Sequence, residues 1–471
     1  MEEWVKEILE KEREIRKLPL EVKELNKNYY LYRSTTHWDK KEKKVKKDSK
    51  YIGRITPKGV IEKKKSNDMR SIFEYGNSEL LHLLAQDIME PLKKSYYDRW
   101  KEIIACSIVK TIQPLPLRLI KSRWEKLHIS QKIEASISPN TLTDVLREIG
   151  KDYASQKEFF DELMVDSKTL IFDLSSIFSY SENLQYAEKG HNADHLYLNQ
   201  INFMLFFSMD THLPVLLKPL PGSVRDIKAL KTVIDEVNVK DSTVVIDRGF
   251  ASQVIPDMLT DFGLNFILPL RRNFTDIDYD WNLDYSFSYR KRGIKWGRKR
   301  IGQNFLYLFE DVKLRAEEET TFLHLMNEKK RNIEQYKEES PKFGKIAILS
   351  NRDAGAEKVY LMWKDRENIE VAFDALKNEL ENDKTYLDDD DAVRGYFFIS
   401  FLSLYLYYKI LNLLRKAKLV DKVSVNEVLL ELSKVYEIHL GEKRKLSEIP
   451  NKVLKLAESL DVDIFPKKLR S

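Results

Sequence analysis

The segment TLIFDLSSIF, residues 169–178, begins the part of the chain whose pattern decides the fold. It is an apolar run with one aspartate, Asp173, near its middle. Two further apolar runs follow, INFMLFFSMD (201–210) and LPVLLKPL (213–220), and a short turn separates them. Short apolar runs bounded by turn residues are typical of buried strands. The three runs therefore predict a β-β-β unit.

Helices and strands alternate after this unit. VRDIKALKTVIDEV (224–237) and SQVIPDMLTDFG (252–263) have the pattern of helices, whereas STVVIDRGF (242–250) and LNFILPLR (264–271) have that of strands. The order β-β-β-α-β-α-β predicts an α/β fold, a mixed sheet covered by helices. After an interruption, the fold resumes with the strand KIAILSN, residues 345–351.

The flanking regions differ from this pattern. We expect a helix over residues 1–25, two strands joined by a Lys-rich turn over 28–62, and helices over 76–165. Short Tyr- and Phe-rich strands with a charged segment fill the interruption. We therefore divide the chain into four parts: an N-terminal region (1–165), the α/β domain (166–273 and 345–415), a β-rich insertion (274–344) and a C-terminal helical region (416–471).

Composition excludes several classes of protein. The chain has 471 residues, of which 42% are hydrophobic and 33% charged, and this suits a protein with large cores. Cys106 is its only cysteine, so an internal disulfide and a cysteine-based zinc cluster are excluded. The longest apolar run, residues 396–408, is shorter than the ~18 residues that indicate a membrane span. We expect a cytoplasmic protein with no membrane partner.

Basic residues are clustered although the net charge is only +5. Residues 38–65 hold twelve Lys or Arg against four Asp or Glu, and residues 290–300 hold seven basic residues and no acid. Such clusters can bind a phosphate backbone, but a solvated basic loop is the alternative for each. The candidate DNA-binding residues of the second cluster are Arg290, Arg292, Lys295, Arg298, Lys299 and Arg300.

The segment WKDRENIEVAFDALKNEL, residues 363–380, has the pattern of an amphipathic helix. At about 100° per residue, an arc of roughly 60° beside the apolar stripe holds four side chains. These are Trp363, Arg366, Glu370 and Lys377. An ordinary charged face with one Arg366–Glu370 ion pair, worth about 0.2–0.5 kcal/mol, is the alternative reading.

Three carboxylates form a possible common site. Asp173 and Asp247 lie in or at the end of apolar strands, where a charge is costly unless it is paired or bound to a cation. Either aspartate alone is as well explained as a turn or cap residue. Together with Glu370, they suit two Mg²⁺ ions about 3.5–4 Å apart, with Mn²⁺ as a substitute, for phosphoryl transfer.

These residues carry a resemblance to a known family. The order of strands with Asp173, Asp247 and a helical Glu370 resembles the ribonuclease-H-like DDE transposases. The spacing W-x2-R-x3-E-x6-K resembles the Tyr-Arg-Glu-Lys signature of the insertion-sequence-four superfamily, with Trp363 where that family usually has Tyr. The resemblance implies that the three acids bind metal and catalyse. It also implies that Trp363, Arg366, Lys377 and Arg248 contact DNA phosphates.

The resemblance further implies a homodimeric transposase that acts on double-stranded DNA. It would cleave the terminal inverted repeats of an insertion sequence and transfer the strand into target DNA, and it would associate with the nucleoid when bound. The N-terminal region would serve DNA binding and dimerisation. Two alternatives remain open: a ribonuclease-H-like nuclease or resolvase, and a catalytically decayed DNA-binding remnant.

A histidine pair is a weaker candidate for a site. His191 and His195 have the i,i+4 spacing of a zinc pair, but no glutamate of the H-E-x-x-H type lies between them. A polar loop or a DNA contact is the preferred interpretation.

Overall fold

A computed structural model of the chain describes most of its residues. The described ranges are 2–25, 28–39, 44–62, 69–181, 183–190, 198–224, 226–236, 241–275, 277–381, 384–385, 387–441 and 443–466. His191 and His195 lie outside them. The chain divides into two compact units, one formed by residues 1–72 and 438–444 and the other by residues 73–437 and 445–471.

The first unit is a small antiparallel sheet with one helix. Its sheet has the order β1-β2-β3-β4, and its core is built from Val5, Leu9, Leu20 and their neighbours. The prediction of a helix over residues 1–25 holds as far as Arg16 and is wrong beyond it, because the alternating LEVKEL segment (20–25) pairs as a strand. The elements are α1 (Glu3–Arg16), β1 (Leu20–Leu25), β2 (Asn28–Asp39), β3 (Lys44–Thr56) and β4 (Gly59–Glu62), followed by β5 (Met69–Glu74) at the unit boundary.

Helices dominate residues 76–165, as predicted. Ser138 caps one of them: its hydroxyl accepts a hydrogen bond from the backbone N–H of Thr141 at 3.2 Å. The helices are α2 (Gly76–Leu84), α3 (Gln86–Ser95), α4 (Trp100–Ile112), α5 (Leu117–Trp124), α6 (Pro139–Lys151) and α7 (Tyr153–Met164).

The predicted β-β-β-α-β-α-β order is present and forms the centre of a mixed sheet. Its elements are β6 (Thr169–Ser179), β7 (Glu188–Lys189), β8 (Asn199–Ser208), β9 (Leu213–Pro221), α8 (Asp226–Glu236), β10 (Thr243–Val245), α9 (Val254–Asp261) and β11 (Asn265–Pro269). The spatial order of the main strands is β9-β8-β6-β10-β11. Strand β8 is antiparallel to its neighbours β9 and β6, whereas β10 is parallel to both β6 and β11.

The segment predicted as a separate β-rich insertion extends this sheet. Its elements are β12 (Tyr285–Tyr289), β13 (Arg292–Ile301), β14 (Asn304–Asp311), α10 (Val312–Asn327) and α11 (Ile333–Glu339), and β15 (Lys345–Ser350) follows. Strand β15 pairs with β11 on one side and with β14 on the other. The hairpin strands therefore continue the central sheet, and only α10 and α11 depart from it.

Helices complete the second unit. The remaining elements are α12 (Ala356–Asp365), α13 (Glu367–Asp374), a π-helical turn (Ala375–Glu379), β16 (Lys384–Thr385), α14 (Asp390–Lys416), α15 (Val425–Leu432), β17 (Tyr436–Leu440), β18 (Lys443–Leu446) and α16 (Asn451–Ser459). The predicted C-terminal helical region therefore also contains two strands. Helix α14 is long and apolar enough to cross a membrane by composition, but 72% of its most apolar window is buried inside the protein.

Helices α6 and α14 approach each other backbone to backbone. A Cβ atom on Gly395 would lie 2.0 Å from the carbonyl oxygen of Leu146, and one on Gly150 would lie 1.7 Å from that of Asp391. Both distances are far shorter than any van der Waals contact. Glycine at these two positions therefore sets the separation of the two helices.

Candidate active site

Two strands place two aspartates side by side. The parallel strands β6 and β10 pair with Thr169 opposite Thr243 and Ile171 opposite Val245. Asp173 and Asp247 are each the fourth residue after the paired threonines, so they extend the same register. Neighbouring strands lie about 4.8 Å apart. The register therefore explains why both carboxylates reach one place at the edge where β10 ends.

Backbone donors hold one oxygen of each aspartate. Oδ1 of Asp173 accepts a hydrogen bond from the N–H of Leu174 at 2.8 Å. Oδ2 of Asp247 accepts one from the N–H of Gly249 at 2.9 Å and caps a short 3₁₀ turn. Each carboxylate is thus oriented by a backbone N–H group one or two residues further along the chain.

Helix α13 supplies the third carboxylate, Glu370. The helix buries Ile369 and Phe373, and the ring of Phe373 meets that of Phe203 on β8 edge to face at 5.6 Å. Helix α14 holds the first turn of α13, because the hydroxyl of Tyr408 on α14 donates a hydrogen bond to the carbonyl oxygen of Asn368 at 3.3 Å. The packing of α13 on β8 and α14 therefore positions Glu370.

A single guanidinium joins the three acids. Nη1 of Arg366 lies 3.1 Å from Oδ1 of Asp247 and 3.9 Å from Oδ2 of Asp173, and Nη2 lies 2.9 Å from Oε1 of Glu370. The Arg366 side chain is only 18% exposed. We call these four residues the Arg366 cluster. The structure therefore brings together the three acids that the sequence singled out, around a cation of the protein itself.

The donor set of the cluster fits divalent metal ions, but its arrangement is that of an ion cluster. Three carboxylates are the oxygen ligands that Mg²⁺ and Mn²⁺ prefer. Among the residues that the structure describes, no group of three or more His, Cys, Asp or Glu side chains is arranged to hold a metal ion. The guanidinium is the charge around which the acids meet.

The prediction of one continuous α-helix over residues 363–380 is wrong. Helix α12 ends just before Arg366, α13 begins just after it, and a π-helical turn follows. Trp363 packs edge to face on Tyr360 at 5.4 Å, and Nζ of Lys377 lies 5.9 Å from the centre of the Phe203 ring. The i,i+4 pair of Arg366 and Glu370 survives the break, whereas Trp363 and Lys377 have aromatic neighbours, Tyr360 and Phe203.

Arginines line a pocket beside Asp247. The pocket has a volume of about 430 Å³ and is lined by Asp247, Arg248, Gly249, Arg271 and Arg272. Arg271 donates to the carbonyl oxygen of Gly249 at 3.0 Å, and Arg272 is ion-paired with Glu318 at 2.8 Å. Among the described residues, Arg248 and Arg271 have no carboxylate partner. Arg271 was missed at the sequence level, although its place directly after the fifth strand was a usable signal.

The basic segment 290–300 is largely neutralised by ion pairs. Half of the residues of β13 are exposed, but acids of the neighbouring strand β14 and of two segments outside the hairpin meet four of its cations. These pairs are Arg292–Asp311, Lys295–Glu310, Arg298–Asp353 and Lys299–Asp278. The hydrogen bond that Arg298 donates to Asp353 also raises the pKa of Arg298. Within the part of the chain that the structure describes, Arg290 and Arg300 are the predicted DNA contacts of this segment without a carboxylate partner.

Comparison with known proteins decides the family. The family described as the transposase DDE domain matches residues 161–406, a little over half of the chain and a span that contains the whole Arg366 cluster. The chain belongs to the transposase DDE domain family. The predicted family is confirmed, so the chain is a transposase and thus an enzyme of DNA recombination, from a family that generally uses divalent metal ions. The insertion-sequence-four subgroup stays a prediction.

The chain was also compared with solved structures and with curated proteins. A cryo-EM structure of a piggyBac transposase synaptic complex with hairpin DNA is similar to this DDE transposase at 11% identity, with 86% of this chain and 88% of that chain covered and a TM-score of 0.40. The comparison with curated proteins gives no match.

Proposed function

We propose that this transposase cleaves DNA at the terminal inverted repeats of an insertion sequence and transfers the cut strand into target DNA. The observation that carries the proposal is the convergence of Asp173, Asp247 and Glu370, from two strands and a helix distant in sequence. Arg366 balances only one of these three negative charges, and such a cluster of acids is typical of a site with a cation-dependent task. Phosphoryl transfer is the task that fits carboxylates within a transposase domain.

The sheet supports a ribonuclease-H-like catalytic domain. Three antiparallel strands, β9, β8 and β6, are followed by the parallel strands β10 and β11. In chain order, β6 is the first of these five strands and β10 is the fourth. Asp173 lies on β6, Asp247 follows β10, and Glu370 lies on the later helix α13. This is the arrangement that the resemblance predicts.

The chemistry consists of two displacements at phosphorus. In cleavage, a water oxygen bonds to phosphorus, the bond from phosphorus to the 3′ oxygen breaks, and that oxygen leaves as a 3′-hydroxyl with a proton from the water. In strand transfer, the 3′-hydroxyl oxygen attacks a target phosphorus, and its proton ends on the 3′ oxygen that leaves. Two bound Mg²⁺ ions would supply Lewis acidity at the attacking and leaving oxygens.

The protein's own residues have distinct parts in this proposal. Asp173, Asp247 and Glu370 would hold the metal ions, with Asp173 oriented by the N–H of Leu174 and Asp247 by that of Gly249. Arg248 and Arg271 hold phosphates next to Asp247, because guanidinium groups match phosphate geometry. Trp363 and Lys377 stand on either side of Arg366 and Glu370 in the sequence and would contact the DNA backbone further along the strand.

More distant cations would hold the rest of the DNA. On the β13 hairpin, Arg290 and Arg300 are the candidates that carry unpaired charge within the described residues. In the N-terminal unit, the long β2–β3 hairpin exposes Trp38 and Val45 opposite each other, beside lysines. We assign that hairpin to DNA binding, and the N-terminal region also to formation of a homodimer on DNA.

Cleavage of a labelled duplex that carries the repeat flanking the reading frame tests the proposal. We expect cutting at the repeat boundary with Mg²⁺ or Mn²⁺, none with EDTA, and none by Asp247→Asn. The matched control is Asp257→Asn, which removes an equal charge from the exposed face of α9. Equal cutting by wild type and Asp247→Asn would contradict the assigned site.

Two other results would replace the proposal with an alternative. Metal-dependent cutting of branched DNA, without preference for the repeat, would identify a nuclease or resolvase. Tight binding to the repeat without cutting would identify a DNA-binding remnant, and Trp363→Tyr would then be the variant to compare with wild type.

A further inference from the structure

Arg366 contacts carboxylates where the family signature leads one to expect a phosphate contact. We propose that Arg366 is a positioning residue that makes metal binding by the three acids depend on bound DNA. The inference rests on the proposed function, since it takes the three acids as the metal ligands. It adds that the chain carries its own counterion, which has to leave before the acids can take up metal.

The oxygens that face Arg366 are the ones that a metal ion would need. Oδ1 of Asp173 and Oδ2 of Asp247 already accept backbone hydrogen bonds. The other oxygen of each aspartate, and Oε1 of Glu370, face the guanidinium. The site therefore offers its carboxylate oxygens to one cation at a time.

Electrostatic repulsion opposes the binding of a metal ion by the three acids while the Arg366 guanidinium contacts them. Three carboxylates and one guanidinium have a net charge of −2 when all are ionised. A divalent ion between the acids would stand within a few ångströms of the guanidinium, where like charges repel strongly at low exposure. With Arg366 in place, one of the three negative charges is already compensated, and the gain from binding a metal ion falls.

The contacts of Arg366 are loose enough to exchange. The residue lies in the break between α12 and α13, outside both helices, so movement of its long side chain disturbs no helical turn. Its contact with Asp173, at 3.9 Å, exceeds hydrogen-bond length, and its partner Glu370 is 57% exposed, which weakens that pair. A DNA phosphate offers a guanidinium two parallel hydrogen bonds.

The consequence is a thermodynamic coupling between two ligands. DNA phosphate draws the guanidinium away from the acids, and the acids then bind metal more tightly. By linkage, metal ions raise the affinity for DNA by the same factor. The enzyme without DNA would hold its acids as an ion cluster with low metal affinity, which limits cleavage by protein that has not engaged DNA.

Binding of Mn²⁺ to the full-length protein tests this, with free Mn²⁺ measured by electron paramagnetic resonance and no turnover required. In the absence of DNA, we expect Arg366→Gln to bind Mn²⁺ about tenfold more tightly than wild type, within the usual range of coupling between sites. Mixed-sequence duplex DNA should raise the affinity of wild type by a similar factor and leave that of Arg366→Gln unchanged.

The matched control is Arg272→Gln. It removes one positive charge from the pocket beside Asp247, but from a residue that is ion-paired with Glu318 instead of with the three acids. Its Mn²⁺ affinity should stay close to that of wild type. An equal rise in both variants would overturn the proposal, because net charge alone would explain it.

Other outcomes are equally decisive. If Arg366→Gln binds Mn²⁺ as weakly as wild type, or more weakly, Arg366 does not compete with the metal and the inference fails, while the proposed function stands. If neither protein binds Mn²⁺, with or without DNA, the proposed metal site itself fails. If Arg366→Gln does not fold, Arg366→Lys gives the test, since a single ammonium cannot bridge three acids. A rise in Mn²⁺ affinity of less than tenfold in Arg366→Lys supports the proposal, and an unchanged Mn²⁺ affinity overturns it.

Discussion

Replacement of Gly395 by alanine tests how tightly the core of the second unit is packed. Judged by helix propensity alone, Gly→Ala inside a helix should stabilise by about 0.8–1 kcal/mol. The new Cβ, however, would lie 2.0 Å from the carbonyl oxygen of Leu146 and 2.8 Å from its carbonyl carbon. These are backbone atoms and cannot rotate away, so α6 and α14 must separate.

The size of the effect follows from these two opposing contributions. Overpacking of a tight core costs about 1–3 kcal/mol, and a backbone clash belongs at the upper end of that range. After subtraction of the propensity gain, we expect Gly395→Ala to lower the free energy of unfolding by about 1–2 kcal/mol. The sign of the change, rather than its size, decides whether the close approach is real.

Cys106 provides the assay. It lies fully buried on α4, and burial raises the pKa of its thiol to about 12, so the native thiol should not react with a disulfide reagent. Its neighbour Ser107 accepts a hydrogen bond at its carbonyl oxygen from the hydroxyl of Ser403 on α14 at 3.2 Å. Labelling of Cys106 therefore reports opening of the α4–α14 core.

The expected result is faster labelling. A loss of 1–2 kcal/mol should raise the labelling rate about 5–30-fold, whereas Thr321→Ala on the exposed face of α10 should leave it nearly unchanged. Labelling at or below the wild-type rate in Gly395→Ala would refute the backbone contact between α6 and α14.

Two further predictions concern the same unit. Burial raises the pKa of Glu79, but the nearby His82 and the hydrogen bonds from Lys132 outweigh it and lower the pKa to about 2. The stabilising contribution of Glu79 is therefore complete above pH 4.5 and is lost as the pH falls towards 2. Glu79→Gln should therefore be less stable than wild type by about 3 kcal/mol at pH 6, and the urea midpoints of the two should converge near pH 2; an equal difference at both pH values would contradict the assigned cause. Phe373→Ala removes the ring that packs on Phe203 and should lower the free energy of unfolding in urea by about 3–5 kcal/mol. Phe373→Leu should lower it less. Equal stability of the wild type and both variants would show that this contact does not hold α13.

Local pattern predicted the centre of the fold because burial there is continuous along the chain. The strands on both sides of Asp173 and Asp247 are apolar runs, and their order was correct. The equal spacing of TLIFD and TVVID, each a threonine followed by an aspartate four residues later, even contains the register that places the two acids together. That signal could have been used.

The features that the sequence pattern did not predict depend on contacts between residues far apart in the chain. The helix break at Arg366 and the π-helical turn follow no local rule; Asn368 bonds to Tyr408 on α14, forty residues away in sequence. The insertion strands join the central sheet through pairing of β14 with β15, which no periodicity encodes. The basic segment 290–300 looked unpaired because the acids that meet it, such as Asp353, come from other segments.

The placement of Arg366 and Glu370 together has a consequence for the order of assembly. The ribosome releases Asp173 and Asp247 well before residues 366–370, so pairing of β6 with β10 first brings two like charges together before Arg366, the cation that contacts both, has been made. The cation and the third acid then arrive on one short segment, in a single docking event. The last piece of the site to be synthesised thus brings the charge that relieves the repulsion, and the central sheet becomes fully favourable only when the whole site is present.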